Sequence, residues 1–454
     1  MMAWAKILMI MASVAAGIAG GTIALAAEPE RPTAEQAQKA LEADLDALHQ
    51  KGEPARPEDL ARPSVNDAEN AVLDLRAAEK PLEGSRTLSA YWDIADSLTT
   101  PLSREDAEIV RAMVKEHAAT LKLIKSAMAK GKVDWQNKYT TPMIKVLLPG
   151  LAQQRALANF LRPAALLAHD EGDDVAALEH VRELLFVARV TGDQPFLVCY
   201  LVELGIDALA FDVCRDISPT LQLTREPAMR DQLRRTIAEL LDETEVRAHV
   251  RRVMQGERVV SVDTALALAS GKLTIDDLLG SAQQKANFRR FAIKPADLLP
   301  IALTDARIML AEMTKNVDAV SAADLPTAMA KLKPWPPSVL AEPKQHFFMA
   351  MMLPSLQKSI ERHYTALAQR RVAATALAIR WYAMDHDGQL PKTLQDLIPA
   401  YLLAVPTDPM TAGKPLIYSA DDEVVYSVGV DGQDDGGDPG DNKSRGRDIV
   451  IPLK

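Results

Sequence analysis

Residues 166–190, LLAHDEGDDVAALEHVRELLFVARV, show most clearly the helical pattern of this chain. Apolar side chains recur every three or four residues on both sides of a polar centre, as they do along one face of a helix. Gly172 lies in that centre, where its backbone freedom allows a tight turn. The stretch therefore predicts two antiparallel helices joined by a short turn.

The same helical period extends over most of the chain before residue 333. Ala and Leu are abundant and aromatic residues make up only 5%, a composition that favours helices over sheets. The ~34-residue period of tetratricopeptide arrays does not recur, so we predict an irregular all-helical domain rather than a regular solenoid. Helices are expected at residues 104–130, 143–169, 227–268 and 295–315.

Composition and charge restrict the classes of protein to which the chain can belong. Its 454 residues are enough for two or three domains, and 48% hydrophobic with 25% charged residues is ordinary for a folded protein. The 62 Asp and Glu outnumber the 52 Lys and Arg, giving a net charge of −10. Because that charge repels phosphate backbones, we expect no nucleic-acid partner.

The first residues resemble a secretory signal peptide. Lys6 precedes an uncharged apolar stretch over residues 7–25, and Ala24-Leu25-Ala26 is the small-x-small pattern that a signal peptidase accepts. We predict that residues 1–26 are a signal peptide and that the mature protein is exported to the periplasm or the extracellular space. The alternative is an uncleaved membrane anchor, because ~20 apolar residues can span a bilayer. No later stretch is long and apolar enough to span a membrane.

The two cysteines are expected to remain free thiols despite an oxidising compartment. Cys199 and Cys214 lie in one apolar helical stretch, so a continuous helix would place them ~22 Å apart. A disulfide needs Cα atoms within about 7 Å. Both are therefore predicted to be small buried apolar residues.

A proline-rich segment divides the chain. Four prolines fall between residues 334 and 343, which disfavours helix and is typical of a linker. We therefore predict a helical domain at residues 27–333, a linker at 334–345 and a separate unit at 346–454. The apolar run at 347–353 is expected to pack in a core or between domains rather than to bind a partner.

In the last unit the spacing of apolar residues changes from a helical period to the alternating period of strands. A long amphipathic helix is predicted over residues 355–386, and strands are predicted at 414–419, 423–428 and 448–453. The expected fold class is therefore mainly α, with a small α+β domain behind the helical one.

Three motifs of this unit occur in an order that is typical of a known family. DGQLP (387–391), DPMTAGKPLIY (408–418) and YSVGVDG (426–432), closed by Asp448-Ile449, resemble the globular domain of the major pseudopilin of bacterial type II secretion. The resemblance covers about the last 95 residues and implies a long helix, a short antiparallel sheet and a calcium-binding loop. The helix at 355–386 carries several Arg and Lys residues, so it is not expected to lie in lipid or in a filament core.

The predicted calcium loop is rich in carboxylates and glycines. Glycines allow sharp turns, and hard oxygen ligands in a flexible loop suit Ca²⁺. The spacing does not fit an EF-hand, and a solvated acidic loop without a metal is the alternative. The resemblance implies an ion between the strand at Tyr426 and the strand that starts at Asp448. The expected ligands are Asp431, Asp434, Asp438, Asp441 and Asp448.

Common catalytic signatures are absent from the sequence. It contains no GxSxG, HExxH or GxGxxG motif, and its eight histidines are scattered. His169 and His180 flank the turn at Gly172, but no carboxylate at ligand spacing completes a zinc set. We expect both to be ordinary half-buried histidines.

These observations favour an exported, non-enzymatic scaffold or interaction protein, with envelope or secretion proteins as partners. An accessory component of a type II secretion-like system is the first alternative. An extracytoplasmic hydrolase with an unidentified site is the second, and a deep polar pocket with converging acid or His side chains would favour it.

Overall fold

A computed structural model describes residues 32–95, 97–146, 148, 150–278, 295–332, 346–440 and 447–454. The predicted signal peptide, the predicted linker and Asp441 lie outside these residues. The side chains of Ile275, Pro295 and residues 347–357 also lie outside the description, and with them the predicted packing of the apolar run.

Helices dominate the described chain, as predicted. In the first half they are α1 Ala34–His49, α2 Ala71–Glu79, α3 Arg86–Trp92, α4 Arg104–Glu116, α5 Ala118–Lys130, α6 Leu151–Asp170 and α7 Asp174–Gly192. In the second half they are α8 Leu197–Ile217, α9 Pro227–Leu241, α10 Thr244–Ala269, α11 Ile275–Leu278, α12 Pro295–Ala319, α13 Leu325–Lys331 and α14 Phe347–Asp385.

The hairpin predicted from residues 166–190 is present as α6 and α7. Gly172 takes the left-handed conformation (φ +82°) that the turn requires. Asp173 then caps α7 by accepting a hydrogen bond from the backbone N of Ala176. Helix α7 packs between α6 and α8, and these three helices form the centre of the main hydrophobic core.

Two predicted helices are each divided in the structure. His117 leaves helical geometry (φ −102°, ψ 25°) and separates α4 from α5. Asp242 turns to an extended conformation and separates α9 from α10. At this second break Arg370 of α14 donates to the carbonyl oxygens of Glu239, Leu240 and Asp242. A side chain from a distant part of the sequence therefore satisfies the end of α9.

The expected start of α6 is also corrected. The prediction began this helix at residue 143, but Met143–Lys145 forms a 3-10 turn and α6 begins at Leu151. Gly150, with a φ of +103°, precedes the helix. A left-handed residue cannot continue a right-handed helix, so the chain enters α6 only after it.

The predicted strands form one antiparallel sheet in the order β1-β2-β3, with β1 Ile417–Ser419, β2 Val424–Ser427 and β3 Ile449–Pro452. Tyr426 of β2 pairs with Ile417 on one side and Val450 on the other. Helix α14 packs against β2 and β3, so the mainly α fold with a small sheet is confirmed.

Both cysteines are free and buried, as predicted. They lie on α8, whose continuous helical geometry keeps them apart. No helix in the described part of the chain is long and apolar enough to cross a membrane.

Helix α14 joins the sheet to the helical body. Leu377 of α14, Val425 of β2 and Ile451 of β3 belong to the same hydrophobic cluster as residues of α6 to α9. Arg371 also forms an ion pair with Glu243 at a distance of 2.6 Å. The sheet therefore shares a continuous apolar core with the body, while the division into 27–333 and 346–454 stays a prediction.

Candidate functional site

The acidic loop, residues 431–448, leaves the end of β2 at a point fixed by Asp408. This carboxylate is 1% exposed and accepts hydrogen bonds from the Ser427 hydroxyl and from the backbone N of Val428 and Met410. Asp408 belongs to the DP motif that the sequence analysis singled out. Its donors are all within the protein, so it positions the loop rather than offering oxygen to a ligand.

Asp448 closes the loop and has one oxygen without a partner. The residue is 4% exposed, and its Oδ2 accepts from the backbone N of Asp435 (3.2 Å) and Gly437 (2.8 Å). Its Oδ1 is buried and has no hydrogen-bond partner among the described residues. Burial, with the charges of Asp434 and Asp435, raises the pKa of Asp448. A buried orphan carboxylate oxygen is costly unless a positive charge meets it.

The other predicted ligands are placed differently. Asp434 accepts from the Tyr426 hydroxyl at 3.0 Å and lies close enough to Asp448 to influence its ionisation. Asp431 accepts locally from the backbone N of Gln433, and Asp438 pairs with Arg447 at 2.8 Å. The structure thus brings Asp434 towards Asp448 and engages Asp431 and Asp438 in local contacts.

The orphan oxygen of Asp448 is the feature of the acidic loop that fits a calcium ion. Within the described ranges, no three His, Cys, Asp or Glu side chains are gathered into a ready-made metal site. Asp448 and Asp434 are the described carboxylates that would hold the ion. Bound calcium would supply the positive charge that these oxygens lack.

The two histidines that flank the hairpin turn have separate partners. His169 Nδ1 lies 2.5 Å from Asp174, and its Nε2 lies 2.9 Å from the Thr220 hydroxyl. His180 Nδ1 lies 2.6 Å from Glu183. The carboxylate–imidazole–hydroxyl series at Thr220 has the order of a catalytic triad, but Thr220 is exposed and lines none of the described cavities. We assign it to holding the ends of α6 and α7 together.

A second candidate site lies between the helices and was not predicted from the sequence. It is a cleft of about 400 Å³ lined by residues of α5, α7, α8, α9, α10 and α14, and we call it the charged cleft. Its basic residues are Lys125, Arg182, Arg189, Arg235 and Arg370. Its acidic residues are Glu179, Glu203, Asp207, Glu239, Asp242 and Glu245.

Buried acids form the floor of the charged cleft. Glu203 is 2% exposed and contacts His249 Nδ1 at 2.9 Å. Burial raises the pKa of Glu203 to about 7, although His249 opposes the shift. Asp207, 3% exposed, pairs with Arg370 at 3.2 Å. Burial also raises the pKa of Asp207, although Arg370 opposes the shift. The partner of Glu203 is thus an imidazole, whereas the partner of Asp207 is a guanidinium, which stays charged.

His249 lies behind Glu203 and holds it in place. Burial disfavours the imidazolium, but the carboxylates of Glu203, Asp193 and Glu245 outweigh it and raise the pKa of His249. Gly192 makes room for this contact, because a Cβ there would lie 1.7 Å from Glu203 Oε2. The local packing thus fixes where the Glu203 carboxylate meets the cleft.

Cations at the rim differ in how they are paired. Arg182 bridges Glu179 and Glu239 at 2.7 Å each, and Arg235 pairs with Asp231. Lys125 and Arg189 are exposed, and within the described part of the chain neither forms an ion pair. Arg189 lies over the Phe186 ring at 5.5 Å, which leaves its donors free for a ligand.

One signal in the sequence pointed to the floor of this cleft. Glu203 and Asp207 are four residues apart in the otherwise apolar first part of α8, residues 197–211, so they share a face. Buried acids on one face of an apolar helix need partners. The partners come from helices that are distant in sequence, which spacing does not reveal.

No family model, curated protein or solved structure matches this chain.

Proposed function

We propose that this protein is an exported, non-enzymatic scaffold or interaction protein whose C-terminal unit is stabilised by Ca²⁺ at the acidic loop. The observation that supports the calcium site most directly is Asp448, a buried carboxylate with an oxygen that accepts no hydrogen bond from the described residues. The raised pKa of Asp448 has the same origin, because burial and neighbouring acids disfavour its charge. A divalent cation reverses that penalty.

The apolar contact between sheet and body extends the effect of the ion beyond the loop. Asp448 directly precedes β3, and β3 packs on α14. An ion that holds Asp448 in place therefore also stabilises β3 and its apolar contact with α14. This is the behaviour of a structural ion rather than of a catalytic one.

The lining of the charged cleft favours binding over hydrolysis. None of the residues that line it is a Ser, Thr, Cys or His, so it offers no nucleophile with an adjacent imidazole base. The cleft contains converging acids, as the hydrolase alternative requires. Several of them are engaged in ion pairs, Asp207 with Arg370, and Glu179 and Glu239 with Arg182. We therefore keep the non-enzymatic function as the proposal.

Calcium dependence is tested by thermal unfolding of the full protein in chelator and in millimolar Ca²⁺. Because the folded loop binds the ion and the unfolded chain does not, we expect a gain of about 2.7 kcal/mol at a hundredfold excess over the Kd. Asp448→Asn keeps an acceptor for the backbone N of Gly437 and removes the charge. This variant is expected to lose the calcium response and, in chelator, to be at least as stable as the parent.

Asp421→Asn is the matched control, since Asp421 is an exposed acid of the β1–β2 turn outside the acidic loop. It should respond to Ca²⁺ as the parent does. An unchanged midpoint in the parent would reject the ion, and an undiminished shift in Asp448→Asn would reject this ligand. Intact mass of the protein from its host tests export: a chain that starts at Ala27 supports it, and one that keeps residues 1–26 indicates an anchor.

A further inference from the structure

The charged cleft has incompletely paired groups of both signs, so neither a simple anion nor a simple cation complements it. At the floor, Glu203 faces the cavity with a single imidazole as its partner. At the rim, Lys125 and Arg189 are exposed cations without ion pairs in the described chain. The acids of the floor would repel an anion, and the cations of the rim would repel a cation.

We propose that the charged cleft binds a small zwitterion, a free amino acid or short peptide, with its ammonium group on Glu203 and its carboxylate on Lys125 and Arg189. Glu245 adds a second acceptor beside Glu203, because both lie within reach of His249. Charge-assisted hydrogen bonds at both ends of such a ligand would orient it in the cleft.

The size and the fixed walls of the cleft suit this class of ligand. Its volume of about 400 Å³ falls at the low end of the range for small-molecule sites. Arg370 uses its donors on Asp207 and on three backbone carbonyls, so it holds α8, α9 and α14 in register around the cavity. The cleft is thus formed before a ligand arrives, which lowers the entropic cost of binding.

The experiment uses the full protein and two dipeptides, glycylglycine and alanylalanine, in isothermal titration calorimetry. Two blocked forms separate the ends of the ligand: N-acetylglycylglycine lacks the ammonium, and glycylglycinamide lacks the carboxylate. We expect the unblocked dipeptides to bind and each blocked form to bind at least tenfold more weakly. Absence of binding by both dipeptides, or equal binding by a blocked form, would overturn the proposal.

Variants assign the two ends to residues. Glu203→Gln is expected to weaken dipeptide binding at least tenfold while keeping an acceptor for His249. Lys125→Gln changes an exposed residue of the rim and should also weaken binding, so the test does not depend on the stability of the Glu203 variant. Lys122→Gln, three residues away on α5 and outside the cleft lining, is the matched control and should bind as the parent does.

Each outcome of these titrations is informative. Undiminished binding in both Glu203→Gln and Lys125→Gln would overturn the assignment of the site. Binding of citrate or sulfate that equals dipeptide binding would indicate a plain anion site and would also reject the proposal. None of these results depends on the acidic loop, so calcium dependence can fail or hold independently.

Discussion

Three buried glutamates have a strong influence on how stability depends on pH. Burial raises the pKa of Glu79, Glu203 and Glu257 to about 7 in each case. Between the unfolded value near 4.5 and that folded value, the native protein binds more protons than the unfolded chain. Stability therefore falls as pH rises across this window and levels off above it.

Glu257 gives the cleanest test, because among the described residues its carboxylate accepts from a single backbone N–H, that of Leu197 at the start of α8. Glu257→Gln keeps an acceptor for that N–H and removes the ionisation. We expect the variant to be more stable than the parent at pH 8, by about 1 to 3 kcal/mol, and to differ little at pH 4.5. Urea unfolding at the two pH values measures this.

Asp67→Asn, at an exposed carboxylate of the 3-10 turn Asp67–Glu69, is the control for a lost charge. It should shift stability by less than about 0.5 kcal/mol at both pH values. A parallel pH dependence in the parent and in Glu257→Gln would show that Glu257 ionises normally in the folded protein.

Gly256 allows α10 to approach closely the segment that precedes α8. A Cβ at this position would lie 1.9 Å from the carbonyl oxygen of Pro195. A backbone carbonyl cannot rotate away as a side chain can, so the two segments would have to move apart. The contact also lies beside Glu257, whose carboxylate accepts a hydrogen bond from the first backbone N–H of α8.

Gly256→Ala is therefore expected to destabilise the protein by about 3 kcal/mol through overpacking. Gly205→Ala is the matched substitution, because Gly205 lies inside α8 with no atom within 4 Å of an added Cβ. It should stabilise the protein by up to about 1 kcal/mol, the ordinary gain of alanine in a helix. Calorimetric melting compares the pair, and equal midpoints would show that the close approach relaxes without cost.

Sequence periodicity predicted elements well where local spacing decides them. The α6–α7 hairpin and the positions of the three strands followed from apolar spacing and turn residues. The break between α9 and α10 did not, because Arg370 stabilises it from more than a hundred residues away. Local sequence patterns indicate which face of a helix is apolar. They do not indicate which distant side chain will hydrogen-bond to the free carbonyl groups at its end.

At the scale of the whole molecule, the same limit explains the charged cleft. Its lining comes from six helices. Apart from α8, each contributes charged residues that resemble an ordinary solvated helix face in the sequence. The acidic loop could be found from the sequence because its carboxylates lie close together in the chain, all between Asp431 and Asp448. Even there, the orphan oxygen of Asp448 depends on burial against the sheet, which spacing does not show.

The prolines of residues 334–345 predict a site of proteolysis between the helical body and the C-terminal unit. Limited proteolysis of the full protein should cut first near Lys333 or Lys344, where the sequence predicts a linker. The fragment from 346 onward should stay bound after the cut, because Leu377, Val425 and Ile451 are buried in one cluster with the helical body. Separating the two fragments would expose that apolar surface to water.

Native size-exclusion chromatography of the nicked protein tests this directly, with denaturing gel electrophoresis to show that the cut is complete. We expect both fragments in a single peak at the position of the intact chain. Arg371→Gln removes one ion pair at the contact, to Glu243, and should leave the fragments together because the apolar cluster provides most of the attraction. If the fragments separate without denaturant, the C-terminal unit is held to the body mainly by the covalent chain. If the first cuts fall inside residues 355–386, the predicted boundary is wrong.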